Sequence, residues 1–189
     1  MNVRSRVLHV AKQKFLKYGF YKVSMDSLVK ELRTSKSSLY NHFSSKEELV
    51  GAVMESLNNE INTRLEEILI DDGLSFKGKL AAISDYTRNL LLSVSEEFLK
   101  DLEINTPDIW DSYQEKRIER INKYYRRLFE IGIEEGILRS DVDLDIIIAI
   151  YFNLMELPLK NKYVELLNMS NQDIYENVTE VFLKGIMVN

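Results

Sequence analysis

"TSKSSLYNHF", residues 34–43, sets three serines, a lysine, a tyrosine, an asparagine and a histidine around two apolar anchors, Leu39 and Phe43. Ser35 stands where a helix N-cap belongs, and Leu39 and Phe43, four apart, share one helical face. The spacing predicts a short helix of about two turns whose inner face is that pair and whose outer face is polar. Just before it, Ser24 caps a second short apolar stripe, Met25, Leu28, Val29 and Leu32. Two short helices joined by a tight turn, the second polar outside, match a helix-turn-helix whose second member enters the major groove of DNA. Lys36, Ser37, Ser38, Tyr40, Asn41 and His42 supply the donors and acceptors that base edges require. No Asp or Glu falls between Leu32 and Lys46, so phosphates meet no acid along that segment. Lys36 and Lys46 each take the first position of a helix, where the macrodipole disfavours a cation by ~0.3–1 kcal/mol. A phosphate near each would offset that cost, although solvated surface lysines read the same way.

Working outward, Val7, Val10, Ala11, Phe15 and Tyr18 predict a first helix of about four turns, with Gly19 ending it in the left-handed conformation. Ser45 with Glu48 reads as a capping box opening a long helix along Leu49, Val53, Leu57, Ile61, Leu65 and Ile68. "DDG" at residues 71–73 closes that helix. Residues 79–102 read as one helix with an interruption at Ser95 left open, and Thr106 caps another that begins at Pro107. Ile118, Ile121, Tyr125, Leu128 and Gly132 form a seam ending near Gly136, and two further helices run from about Asp143 to Leu157 and from about Asn171 to Met187. No stretch alternates at period two, so the expected fold class is all-α.

Composition narrows the function. Residues 1–50 hold ten Lys or Arg against four Asp or Glu, and the remaining residues fifteen against twenty-six, so a net charge of -5 conceals a basic first quarter. That asymmetry suits a nucleic-acid partner bound at one end. The chain has no cysteine and two histidines, His9 and His42, with no carboxylate pair or glycine-rich loop beside them. Catalytic, metal and cofactor sites are therefore not expected. "MNVRSRVLHVAKQKF" lacks a secretory pattern, and the longest apolar run, residues 146–152, is far short of the ~20 residues of a membrane span. A cytoplasmic protein with no membrane partner is expected.

Residues 7–50 resemble the DNA-binding domain of the TetR family of transcriptional regulators. The likeness runs through Gly19 and Phe20, the capping Ser24, and "LYNHFSSKEEL", residues 39–49. Where the family usually has Ala-Gly-Val in the turn, this chain has Leu32, Arg33 and Thr34, and Ser37 stands where a second glycine is common. The resemblance implies a three-helix helix-turn-helix domain, residues 1–46, joined by a long helix to a helical ligand-binding and dimerisation domain within residues 47–189. It implies a regulator, most often a repressor, that leaves a palindromic double-stranded operator when a small apolar or aromatic molecule binds. The DNA-binding set is then Ser24, Arg33, Thr34, Ser35, Lys36, Ser37, Ser38, Tyr40, Asn41, His42 and Lys46. An adaptor that has lost DNA binding through its altered turn at Arg33 is the alternative.

The C-terminal aromatics nominate Tyr86, Trp110, Tyr113, Tyr125, Phe129 and Tyr151, with Met155, as a ligand set, because apolar walls with polar tips suit a planar guest. Helix 143–157 is apolar nearly all round, as a helix packed on its own core and on a second subunit should be. Ile147, Ile150 and Phe182 are the interface residues expected of a homodimer. The stripe Lys116, Arg120, Lys123 and Arg127 has Glu115, Glu119 and Glu130 beside it and reads as a salt-bridged face.

Overall fold

The computed structural model of the chain describes residues 2–160, 166 and 168–188, and for residues 155–160 and 171 the backbone alone. Helices run as α1 (Val3–Tyr18), α2 (Met25–Leu32), α3 (Lys36–Tyr40), α4 (Lys46–Ile70), α5 (Phe76–Ser93), α6 (Glu96–Asn105), α7 (Pro107–Arg120), a π-helical turn (Ile121–Tyr125), α8 (Arg126–Glu134), α9 (Leu144–Lys160) and α10 (Asn171–Ile186). Among the described residues there is no strand, and the fold is all-α; an isolated antiparallel bridge pairs Leu138 with Met187. No helix among the described residues is long and apolar enough to cross a membrane. The chain divides into two compact units, one of Met1–Ile68 with Ala81–Glu119, the other of Leu69–Leu80 with Arg120–Asn189.

In the first unit the caps act where local chemistry places them. Ser24, Ser35 and Ser95 each accept the N3 backbone N–H of the helix that follows. Each such cap stabilises its helix by about 1 kcal/mol, which matters most for α3, too short to persist alone. Leu39 and Phe43 are fully buried, as are Val7, Phe15, Leu28, Leu49 and Val53 in the same unit. Burying a side chain of that size contributes roughly 1.5–3 kcal/mol, so Leu39 within α3 and Phe43 just after it anchor the five-residue helix.

Two local expectations are corrected. Ser45 does accept the Glu48 N–H at 3.0 Å, but the Glu48 carboxylate bypasses it. Its Oε2 accepts both the N–H and the hydroxyl of Ser44 at 2.7 Å, which pins the α3–α4 turn and lowers the Glu48 pKa. Gly19 has φ 76° as expected, but its ψ of 151° is extended rather than left-handed helical.

The second unit is centred on rings. Phe129 packs edge-on against Tyr151 and Phe182 with centroids 5.5 and 6.0 Å apart, and Tyr125 meets Phe152 at 4.7 Å. The buried Lys79 ammonium donates to the carbonyls of Leu69 (2.8 Å) and Asp71, closing the C-terminal end of α4. The expected seam is broken: Ile121–Tyr125 form a π-helical turn, with the Arg126 N–H bonded to the Ile121 carbonyl. One extra residue per turn sets the neighbours Tyr124 and Tyr125 both inward, and Ile118, before the turn, is 60% exposed. The same turn breaks the basic stripe. Arg120 is buried, Lys123 donates to the Tyr124 hydroxyl, and Arg127 bonds to Glu134 at 2.7 and 3.2 Å.

Ile147 and Phe182, expected between two copies of the chain, are 1% and 5% exposed inside this unit's own core. Ile150 does reach the surface, as do Ile146 and Val181. An all-round apolar helix carries no periodic signal for which side faces inward, so the sequence pattern named inner and outer residues alike.

Candidate nucleic-acid interface

The α2–α3 turn is built from a strained residue and its support. Arg33 ends α2 in the left-handed region, φ 49° and ψ 45°, where a non-glycine residue costs roughly 1 kcal/mol. Its N–H reaches the Lys30 carbonyl at 3.2 Å, and Thr34 N–H reaches that of Val29 at 3.2 Å. From α1, the Arg6 guanidinium donates to the Leu32 carbonyl at 3.3 Å, and Arg4 lies 5.1 Å over the Phe43 ring. Thus the turn keeps the helix-turn-helix geometry with arginine where glycine is usual. The arginines of α1 were missed in the sequence because side chains that act across helices leave no periodic trace.

Ser35, Lys36, Ser37, Tyr40, Asn41 and His42 are all exposed, whereas Thr34 and Ser38 are half-buried. Ser35 spends its hydroxyl on the Ser38 N–H at 3.0 Å and lies 3.0 Å from the Ser37 hydroxyl. Helix α3 is a turn shorter than expected. The Asn41 N–H to Ser37 carbonyl bond (2.9 Å) and the Phe43 N–H to Leu39 carbonyl bond (3.1 Å) carry the helical path on loosely. Ser24, at the start of α2, is committed to its cap and receives the Ser27 N–H at 3.1 Å.

Electrostatics in space differ from those along the chain. Lys36 pairs with Asp26 of α2 at 2.9 Å, which raises its pKa, so an acid does adjoin the segment that contains none. Both partners are exposed, and such a pair is weak enough for a phosphate to displace. Lys46 folds back to donate to the Tyr21 carbonyl at 3.1 Å and sits 5.9 Å from the Phe20 and Tyr21 rings. Desolvation lowers its pKa, an effect opposed by the charge of Asp101.

The nominated ligand residues fall into two groups. Trp110 and Tyr113 form a ring pair 5.9 Å apart in the first unit, where Tyr86 is half-buried. Tyr125, Phe129 and Tyr151 are packed together in the second unit's core, and the Met155 side chain lies outside the described residues. Tyr113 also lines a cavity of about 200 Å³ between α4 and α7 in the first unit. Met54, Asn58, Asp108, Ile109 and Lys116 are among its other walls.

A capped, acid-poor outer face on a short helix, seated by Leu39 and Phe43 behind a two-helix turn, defines a helix-turn-helix DNA-binding protein. Residues 7–53 match the family of bacterial regulatory proteins of the tetR type. The chain is 26% identical over 138 residues to the HTH-type transcriptional regulator YhgD of Bacillus subtilis, covering 70% of each chain. It is 25% identical over 146 residues to the HTH-type transcriptional regulator QacR of Staphylococcus aureus, covering 75% of this chain and 74% of that one. In fold it resembles a transcriptional regulator from Saccharomonospora viridis solved in complex with choline, with a TM-score of 0.76 at 18% identity over 98% of both chains. Residues 7–53 thus carry a DNA-binding domain of the tetR type, and the relatives that match over most of the chain are transcriptional regulators rather than enzymes.

Proposed function

We propose that the protein is a ligand-responsive repressor that binds a palindromic operator as a homodimer and is released by a small apolar or aromatic molecule. In this reading residues 1–46 form the headpiece, residues 47–189 carry the ligand and the dimer contact, and the protein works in the cytoplasm where its operator lies. The observation that carries DNA reading is the exposed face of Ser37 and Tyr40 on α3 and of Asn41 and His42 just past its end, with Leu39 and Phe43 behind them wholly buried. Arg33 adds a cation at the turn, and its hydrogen-bonded left-handed conformation supports DNA reading over an adaptor that has lost it. With no arginine in α3, operators are read partly through thymine methyls, phosphates and DNA shape.

The test is titration of wild type, Lys46→Ala and Asn41→Ala against DNA from upstream of its own gene and a scrambled duplex, across salt. Lys46→Ala is expected to weaken both and flatten the salt dependence by about one unit, because each phosphate neutralised releases counterions. Asn41→Ala is expected to cost ~1–3 kcal/mol on the operator and to leave the scrambled duplex unchanged. Lys46→Ala losing operator binding alone, or Asn41→Ala losing both equally, contradicts this docking.

Support for a dimer comes from twofold operators, which demand two headpieces, and from the exposed Ile146, Ile150 and Val181 on α9 and α10. Light scattering at micromolar concentration is expected to give twice the chain mass, and Ile150→Glu to give the single chain with its helical signal intact. A wild type that scatters as a monomer contradicts it. For the effector, the cavity lined by Met54, Ile109 and Tyr113 offers apolar walls with polar tips, and the Saccharomonospora viridis regulator of the same fold was solved in complex with choline. Release requires the guest to bind the DNA-incompetent state more tightly, and operator DNA must weaken the guest by the same factor.

A further inference from the structure

The α1–α2 turn is held by a helix from outside the headpiece. Asp101 of α6 accepts the Tyr21 N–H at Oδ2 (2.8 Å), while its Oδ1 receives the Asn105 amide at 3.3 Å, so both carboxylate oxygens are oriented. The Ser95 N–H, just before α6, donates to the Leu16 carbonyl at 2.8 Å. Phe98 of α6 meets Phe20 edge-on at 6.2 Å, and Phe20 meets Phe15 at 6.1 Å. A Cβ on Gly19 would lie 2.6 Å from Asp101 Oδ2, so α6 approaches the turn as closely as a bare backbone permits. On the other side of the same residue, the Tyr21 carbonyl accepts the Lys46 ammonium. One backbone residue, Tyr21, thus stands between Asp101 and Lys46 and bonds to both.

We propose that Asp101 is a positioning residue for DNA binding: by holding the Tyr21 N–H it places the carbonyl on which Lys46 rests, and so sets where that ammonium meets a phosphate. This rests on the reading of Lys46 as a phosphate contact. Docking of α6 on α1 does not need the carboxylate, because the Ser95–Leu16 bond and the Phe98–Phe20–Phe15 stack remain without it. What Asp101 adds is the orientation of Tyr21 and a negative charge near Lys46. That charge favours the ammonium in a site whose desolvation disfavours it. A side chain of α6 then bears on DNA affinity although it touches no DNA.

The experiment compares wild type, Asp101→Ala, Asp101→Asn, Lys46→Ala and the Asp101→Ala/Lys46→Ala double variant on the upstream and scrambled duplexes across salt, with melting temperatures alongside. Alanine is the strongest helix former, so Asp101→Ala keeps α6 folded; Asp101→Ser, too short to reach Tyr21, repeats the test should it not. Asp101→Ala is expected to lose about tenfold in affinity for both duplexes and to flatten the salt slope as Lys46→Ala does. Asp101→Asn, whose amide oxygen still accepts the Tyr21 N–H, is expected to stay within about threefold of wild type. Because both residues act on one contact, the double variant is expected to match Lys46→Ala alone. Wild-type affinity and slope in Asp101→Ala, or a double variant in which the two losses add, overturns the proposal while Lys46 remains on DNA. A wild-type slope in Lys46→Ala overturns the phosphate reading and the proposal with it.

Discussion

Gly19→Ala is expected to lower stability by about 3 kcal/mol and, with it, to loosen the DNA-binding headpiece. The backbone at this position has φ 76° and ψ 151°, a combination open essentially to glycine alone. Forcing an L-residue into it costs of order 1–3 kcal/mol before any contact is considered. The new methyl would also stand 2.6 Å from Asp101 Oδ2 and 3.2 Å from Glu97 Cβ. The carboxylate is a flexible tip and can swing aside, but only by releasing the Tyr21 N–H. The loss therefore has a backbone part, which any side chain incurs, and a hydrogen-bond part shared with Asp101→Ala. Urea denaturation measures the sum of the two, and DNA titration of the folded variant reads the consequence of releasing Tyr21. A midpoint within experimental error of wild type would mean that the turn relaxes to another conformation without cost.

Gly132→Val is expected to cost about 3 kcal/mol in the second unit, through volume rather than dihedral angle. Gly132 lies within α8 and does not take a positive φ, so its backbone suits any residue. A Cβ there would meet Leu138 Cδ1 at 2.7 Å, Leu138 Cγ at 2.8 Å and Phe76 Cδ2 at 2.8 Å. Phe76 and Leu138 are 0% and 2% exposed, so neither has solvent to retreat into. Overpacking of this kind costs typically 1–3 kcal/mol and grows with each added methyl. Alanine regains about 1 kcal/mol from helix propensity, so Gly132→Ala should be the milder change. For a chain of this length a loss of 3 kcal/mol lowers the melting temperature by roughly 6–12 °C. The two glycines are separated by the series itself: at Gly19 alanine and valine should cost nearly the same, at Gly132 valine should cost clearly more. Equal melting temperatures for Gly132→Ala, Gly132→Val and wild type would show that Leu138 repacks freely.

The sequence by itself determined what is local. Serine side chains at 24 and 35 compete for the free N–H groups of the next few residues, so they announce helix starts wherever they stand, whereas at Ser95 the continuing apolar pattern left the break open. Leu39 and Phe43 are four apart, which puts them on one face, and in so short and otherwise polar a helix that face is the one to bury. The motif in residues 39–49 was legible for the same reason, since capping, anchoring and polar display all lie within a few turns of one another.

Tertiary structure alone decided which of several apolar faces turns inward and which distant groups meet. On α9 the apolar residues encircle the helix, so only packing against α8 and α10 separated the buried Ile147 from the exposed Ile146 and Ile150. The π-helical turn at Ile121–Tyr125 changes the residue count per turn, and a fixed period of 3.6 cannot anticipate it. The pairing of Lys36 with Asp26, and the bonds of Tyr21 to Lys46 and to Asp101, join residues up to 80 positions apart. Periodicity tells which residues share a face of one helix; it holds no information about which element that face will touch, because the touching is settled by the simultaneous burial of all of them.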